Sequence, residues 1–183
     1  MLRDSDTPLY SREHLTETQE QYKARILSYL AGRDPIALLA TAPDTLEALI
    51  DGVPEPLLGR RPSPTKWSIR EIVAHLADDE LVGAYRIRLI LSAPGTPVQA
   101  FDQDAWAETG RYSATDIAQS LTLFRLLRAA NVSLLRVLRP DEWERFGVHA
   151  ERGPESVRDI AAYYAGHDLN HFAQIERILA VAR

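Results

Sequence analysis

The chain has no cysteine, and this absence narrows its chemistry more than any residue it contains. Disulfides, thiolate metal ligands and a cysteine nucleophile are excluded together. Any metal must be held by histidine, aspartate or glutamate. Long apolar runs are also missing: no stretch reaches the roughly 18 residues that span a bilayer as a helix. The opening residues, Met1-Leu2-Arg3-Asp4-Ser5-Asp6, lack the apolar core of a secretory signal. There is no excess of positive charge either. A net charge of −5 argues against a general nucleic-acid surface, which needs a basic face. A glycine-rich phosphate loop, a nucleophile elbow and an internal repeat are likewise absent. The expectation is a cytoplasmic protein with a small-molecule substrate and neither a membrane nor a nucleic-acid partner. Its 183 residues, 45% of them hydrophobic, suffice for one ordinary core.

What is present is helical spacing almost throughout. Residues 1–12 have no pattern. Leu15, Tyr22, Ile26, Tyr29 and Leu30 make a stripe over 14–31, closed by Gly32. Asp34-Pro35 starts the next helix as cap and first-turn proline. Pro43 lies inside that helix, where a missing N–H and ring crowding predict a kink or a break. The Pro- and Gly-rich segment 52–66 is irregular. Ser68 and Glu71 form a capping box for a long helix to about Leu91. Residues 95–112 form a long connection, and a helix over about 114–138 follows, capped by Ser113 and Asp116. Pro140 opens a short turn through Trp143, residues 146–153 read as extended, and Ser156 with Asp159 opens the last helix, to about Val181. The fold class is all-α. Residues 1–33 are an N-terminal extension with one helix, packed outside. Residues 34–183 are a four-helix bundle with a long crossover between its second and third helices. An irregular helical array is the alternative.

The chemistry concentrates in histidine. His167 and His171 share the inward stripe of the last helix with Ile160, Tyr164, Gln174 and Ile178. Imidazoles at this spacing can turn two nitrogens to one cation, yet the same spacing serves two hydrogen-bonded core histidines. His75 shares a side of its own helix with Ile72, Leu76 and Asp79. Three inward imidazoles without a shared partner are costly to bury, and a divalent metal removes that cost. His75, His167 and His171 are therefore the candidate ligands, provided that His75 does not face solvent. Glu71 could act as a ligand or base, although its capping role explains it equally well. Asp78 and Asp79 could each accept from an imidazole N–H, or simply be solvated. Asp168 occupies the base position of a His-Glu-x-x-His protease, but it is one methylene short and no downstream ligand follows. His14 and His149 fall outside the stripes and read as surface residues.

Three motifs then combine: Trp67-Ser68-x-x-Glu71-x-x-x-His75-Leu76-Ala77-Asp78, Phe101-Asp102-x-Asp104-x-Trp106, and His167-x-x-x-His171 with Gln174-Ile175 behind it. In this order, over roughly residues 34–181, they resemble the DinB/YfiT-like superfamily of metalloenzymes, in its YfiT-like branch. The resemblance implies a four-helix bundle and a metal triad at His75, His167 and His171, filled by zinc or nickel with water in the remaining positions. It also implies a reaction, because relatives include S-transferases and isomerases that use bacillithiol, mycothiol or a similar low-molecular-weight thiol. Here such a thiol would come from outside and attack an electrophilic small molecule. Asp102, Asp104 and Trp106 are candidate pocket residues by family position. Arg86 is one by face, eleven residues after His75. Metal-dependent hydrolysis, with Asp79 or Glu71 as base, is the alternative. A non-catalytic, stress-related metal-binding module is a third possibility. Related bundles also imply a homodimer.

Overall fold

The computed structural model describes residues 17–181, so the expectations for residues 1–12 and for His14 lie outside the described residues. Each long helix starts where a cap residue stands. Thr18 and Gln21 form a capping box at α1 (Gln19–Ser28). Asp34 accepts from the Ile36 and Ala37 amides at α2 (Pro35–Ile50). A single turn, α3 (Glu55–Leu58), precedes α4 (Ile69–Ser92), where Ser68 and Glu71 cap each other reciprocally. The connection 93–116 holds strand β1 (Pro97–Val98), helix α5 (Gln103–Thr109) and a 3-10 turn, and Asp116 caps α6 (Ile117–Leu135). After α7 (Pro140–Trp143), strands β2 (Phe146–His149) and β3 (Gly153–Ser156) lead to α8 (Val157–Val181). None of the helices among the described residues is long and apolar enough to cross a membrane.

Helices α2, α4, α6 and α8 form the bundle. Both α2 and α4 pack against α6 and α8, so α2 faces α4 across one diagonal and α6 faces α8 across the other. The chain crosses a diagonal twice, through 51–68 and 136–156, while the long connection 93–116 joins neighbours. Helix α1 packs on α8, with Ile26 fully buried. A Cβ at Gly166 would lie 2.3 Å from the Ile26 carbonyl oxygen, so only glycine permits this approach. The helix expected over 14–31 stops at Ser28, because Ala31 (φ 50°) and Gly32 (φ 78°) reverse the chain.

Two apolar clusters fill the bundle, one containing Leu39, Ile87, Ile90, Leu135 and Ile160, the other Leu46, Ile72, Leu76, Phe124 and Ile175. Along α4, α6 and α8 a polar stretch separates them. Glu80 of α4, Arg128 of α6 and Asp168 of α8 meet there, each at most 4% exposed. Arg128 donates to Asp168 Oδ2 (2.5 Å) and Oδ1 (3.2 Å) and lies 2.7 Å from Glu80 Oε2. Burial opposes its charge, and the two carboxylates hold it protonated. Its Nη1 also reaches the Leu39 carbonyl at 3.4 Å. That carbonyl lies four residues before Pro43, whose missing N–H would otherwise leave it short of a donor. Of the kink or break expected at Pro43, the break does not occur: α2 runs through it as one helix.

The segment expected to be extended, 146–153, is so only over β2: residues 150–152 turn, and β3 starts at Gly153. β2 lies between β1, parallel, and β3, antiparallel. At the turn, His149 Nδ1 accepts from the amides of Glu151 (3.2 Å) and Arg152 (3.4 Å). His149 is 2% exposed, which corrects the surface reading: β2 alternates, and this position points inward.

Two outcomes are expected. Arg128→Leu should destabilise the protein by about 3–5 kcal/mol in urea unfolding, because it strands two buried carboxylates. A change under about 1 kcal/mol would contradict the role of this layer. The second concerns pH. Burial, aided by Arg152 and Arg86, lowers the His149 pKa to about 4. An unfolded imidazole titrates near 6.5, so the stability from His149 is complete above that pH and lost as pH falls through 4. His149→Gln should therefore lose less stability than the parent over that window, and an equal loss would contradict it.

Candidate metal centre

His75 stands two turns after the capping box that starts α4, on its buried side. His167 and His171, one turn apart on α8, face it. The three rings are 1%, 4% and 5% exposed. His167 Nε2 lies 3.4 Å from His75 Nε2 and 3.1 Å from His171 Nε2. One nitrogen from each ring falls within 4.8 Å of the others. Two imidazole ligands of a tetrahedral metal stand about 3.3 Å apart when each bond is about 2.0–2.1 Å. The two separations measured from His167 match that spacing.

Proton placement points the same way. His171 Nδ1 meets the Gln174 amide oxygen at 3.0 Å, so Nδ1 carries the proton and Nε2 the lone pair. His167 Nδ1 faces Asp79 Oδ2 at 3.3 Å, too poorly aligned for a hydrogen bond but close enough to favour the proton there. His75 Nδ1 is buried with no partner. Burial first, then the neighbouring imidazoles, pushes all three rings well below the ordinary histidine range, so they are neutral. Three neutral nitrogen donors crowd one point, and a divalent cation is the partner that all three can share. Aromatic rings fix their planes. Trp67 lies 4.7 Å from His75 and stacks on His171 at 16°, while Tyr163 stacks on His167 at 15°.

His75 and His167 also line a cleft of about 400 Å³, counting its open mouth, together with Asp79, Arg86, Phe101 and His149. Burial raises the Asp79 pKa to about 7 against the opposing charge of Arg86. Asp79 and Arg86 are thus brought to the triad. Glu71 is not among the cleft residues. It caps Ser68 and pairs with Arg61, which with the Ser68 donors holds its pKa below the ordinary value despite burial. Asp102 caps α5 by accepting from the Asp104 and Ala105 amides, so it serves the connection 93–116, which joins neighbours and is not the expected crossover, rather than the cleft. Trp106 lies outside the cleft with its ring 4.8 Å from Phe101, and backs that wall. Asp78 accepts from Tyr112 Oη at 2.5 Å. Asp168 turns away to Arg128, which removes it as a protease-like base. His149 was missed as a cleft residue, because nothing in its own segment signals that the hairpin folds back over the bundle.

Comparison with known proteins agrees with this architecture. A protein of Oceanobacillus iheyensis is 33% identical over 109 residues, 60% of this chain and 63% of its own length. The chain thus matches less than two thirds of that relative. Proteins of Halalkalibacterium halodurans (26% identical; 77% of this chain and 82% of theirs) and Bacillus subtilis (YfiT, 23%; 78% and 82%) extend the match. All three carry the name "Putative metal-dependent hydrolase". The solved structure of Bacillus subtilis YfiT, described as an unusual four-helix bundle topology, superposes with a TM-score of 0.74 at 24% identity. It covers 92% of this chain and 90% of its own, a likeness of fold. The sequence profile of the DinB superfamily matches residues 38–175. This chain, with its helical bundle and its three converging histidines, belongs to the DinB superfamily.

Proposed function

We propose that His75, His167 and His171 hold one divalent transition metal, and that the chain is a metal-dependent enzyme acting on a small molecule in the adjoining cleft. The observation that carries this reading is the crowding at His167 Nε2. It has one lone pair and two imidazole nitrogens at 3.1 and 3.4 Å, so at least one contact is unsatisfied without a cation. Zinc and nickel both suit three imidazoles and are the metals expected here. When bound, such a metal supplies Lewis-acid chemistry, activating a nucleophile and polarising an oxygen of the substrate.

The chain's own residues do the rest. Asp79 and Gln174 orient His167 and His171 through their Nδ1 atoms. Trp67 and Tyr163 hold the ring planes and keep water from their outer faces. Among the described residues no fourth His, Asp or Glu joins the cluster. Structural zinc sites usually close with four protein ligands, so three ligands beside a cleft favour catalysis over a non-catalytic stress-related module.

We read the nucleophile as a low-molecular-weight thiol. It must come from outside, since the chain has no cysteine. Attack by water calls for a proton acceptor: Glu71 is tied to Arg61 and Ser68, which leaves Asp79, its pKa raised to about 7 and not hydrogen-bonded to His167, as the carboxylate of the cleft that would serve hydrolysis. A thiol, with a pKa near 8.5, ionises without such help far more readily than water. Hydrolysis is the second reading, and the names of the relatives favour it.

Elemental analysis of untagged protein should find about one zinc or nickel per chain, consistent with one triad. His75→Ala should lose the metal while keeping its helical circular dichroism, and retained metal would contradict the site. Chelation should lower the melting temperature, since a ligand at a hundred times its Kd adds about 2.7 kcal/mol of stability. Metal-loaded protein should consume bacillithiol, mycothiol or glutathione in conjugating monobromobimane, and chelated protein should not. Metal-dependent cleavage of p-nitrophenyl acetate with no thiol consumed would select hydrolysis instead.

A further inference from the structure

The cleft beside the histidine triad contains two donors that the metal site does not use. Arg86 of α4 is 5% exposed. Its partners among the described residues are the Gln99 carbonyl, at 2.6 Å, and the face of Phe101, 5.8 Å from the guanidinium carbon. None of the ion pairs among these residues includes it. Other buried arginines here are treated differently: Arg128 has Asp168 and Glu80, and Arg152 holds Glu155 through two bonds of 2.8 Å. Asp79 feels the charge of Arg86, but its Oδ2 turns to His167. A buried guanidinium without a carboxylate is costly unless something else supplies the negative charge.

The second donor is His149. Its Nδ1 accepts two backbone N–H groups, so the neutral ring carries its proton on Nε2. That Nε2 is buried and has no partner. Buried polar groups almost always find one, and His149 lines the same cleft as Arg86, His75 and His167. Cleft walls contributed by Tyr22, Phe101 and Tyr163 offer aromatic surface beside the two donors.

We propose that this cleft is a carboxylate-binding subsite, in which Arg86 and His149 Nε2–H hold the carboxylate of a small substrate with an apolar body and present its reacting end to the histidine triad. The guanidinium fork matches the two oxygens of a carboxylate, and the imidazole N–H adds a third donor. A single fixed charge and one neutral donor suit a monoanion better than a phosphate dianion. What reacts at the triad rests on the metal-dependent reading above; the binding of the carboxylate does not.

The test is calorimetric titration with phenylacetate, phenylacetamide and phenyl phosphate, on protein as purified and after chelation. Phenylacetate should bind both forms, about tenfold or more tightly than the amide, as a charge-assisted contact allows. Arg86→Gln should weaken phenylacetate binding by a similar factor with metal content and helicity unchanged. Arg86→Lys should keep part of the affinity, and serves if the glutamine variant does not fold. His149→Asn should weaken binding less. Equal binding of acid and amide, or full affinity in Arg86→Gln, would overturn the subsite. So would binding seen only with metal present and insensitive to Arg86, which places the carboxylate on the cation. Tighter binding of phenyl phosphate would overturn the ligand class. If the protein holds no metal yet binds phenylacetate through Arg86, the subsite stands and the metal-dependent reading falls.

Discussion

Three neutral imidazoles from two helices gather ring nitrogens within 4.8 Å of one another inside the bundle, with His167 Nε2 between the other two, and the rest of the structure is arranged to keep them there. A gap of 3.1–3.4 Å between nitrogen atoms is too short for uncoordinated rings to satisfy all at once and well suited to a shared cation. Such a geometry survives only if α4 and α8 hold their separation and rotation. Glycine at position 83 sets the separation, since a Cβ there would come within 2.6 Å of the Tyr164 ring. Rotation is set by residues adjacent to the site. Asp79 and His167 face the cleft, while the next residues, Glu80 and Asp168, point about 100° around their helices to Arg128. One guanidinium thus clamps both histidine-bearing helices at the level of the triad.

That clamp also explains how a proline sits inside α2. The Leu39 carbonyl, short of a donor because of Pro43, lies within reach of Arg128. The polar layer therefore links all four bundle helices. It separates two apolar clusters that could otherwise slide past each other, because apolar contacts are non-directional and a charge network is not. The intact layer adds little net stability, since a buried ion pair roughly offsets its own desolvation, while removal of one partner strands the others and is costly.

The parts legible in the sequence were those governed by local spacing. The reciprocal Ser68–Glu71 cap, the inward stripe with His167 and His171, and the caps at Asp34, Asp116 and Ser156 depend on residues three or four apart, and each stands where its spacing puts it. His75 joined them because its helix was long and strongly periodic. Features built from distant residues were not legible. Nothing near Glu80 or Arg128 in the sequence marks them, since only their meeting across helices makes them a core layer. Asp168 was weighed as a protease-like base for want of its true partner, 40 residues earlier. His149 looked like a surface residue because it falls outside every helical stripe, and only the β2–β3 hairpin turns it inward. Asp102, prominent in its motif, caps a helix that the Pro- and Gly-bearing connection concealed.

X-ray absorption at the metal edge of purified protein tests the central claim most directly. The account predicts three imidazole nitrogens at about 2.0–2.1 Å, with the remaining positions held by light atoms from outside the chain. A spectrum without imidazole scattering, or an edge with no metal at all in protein grown with zinc and nickel available, would contradict it.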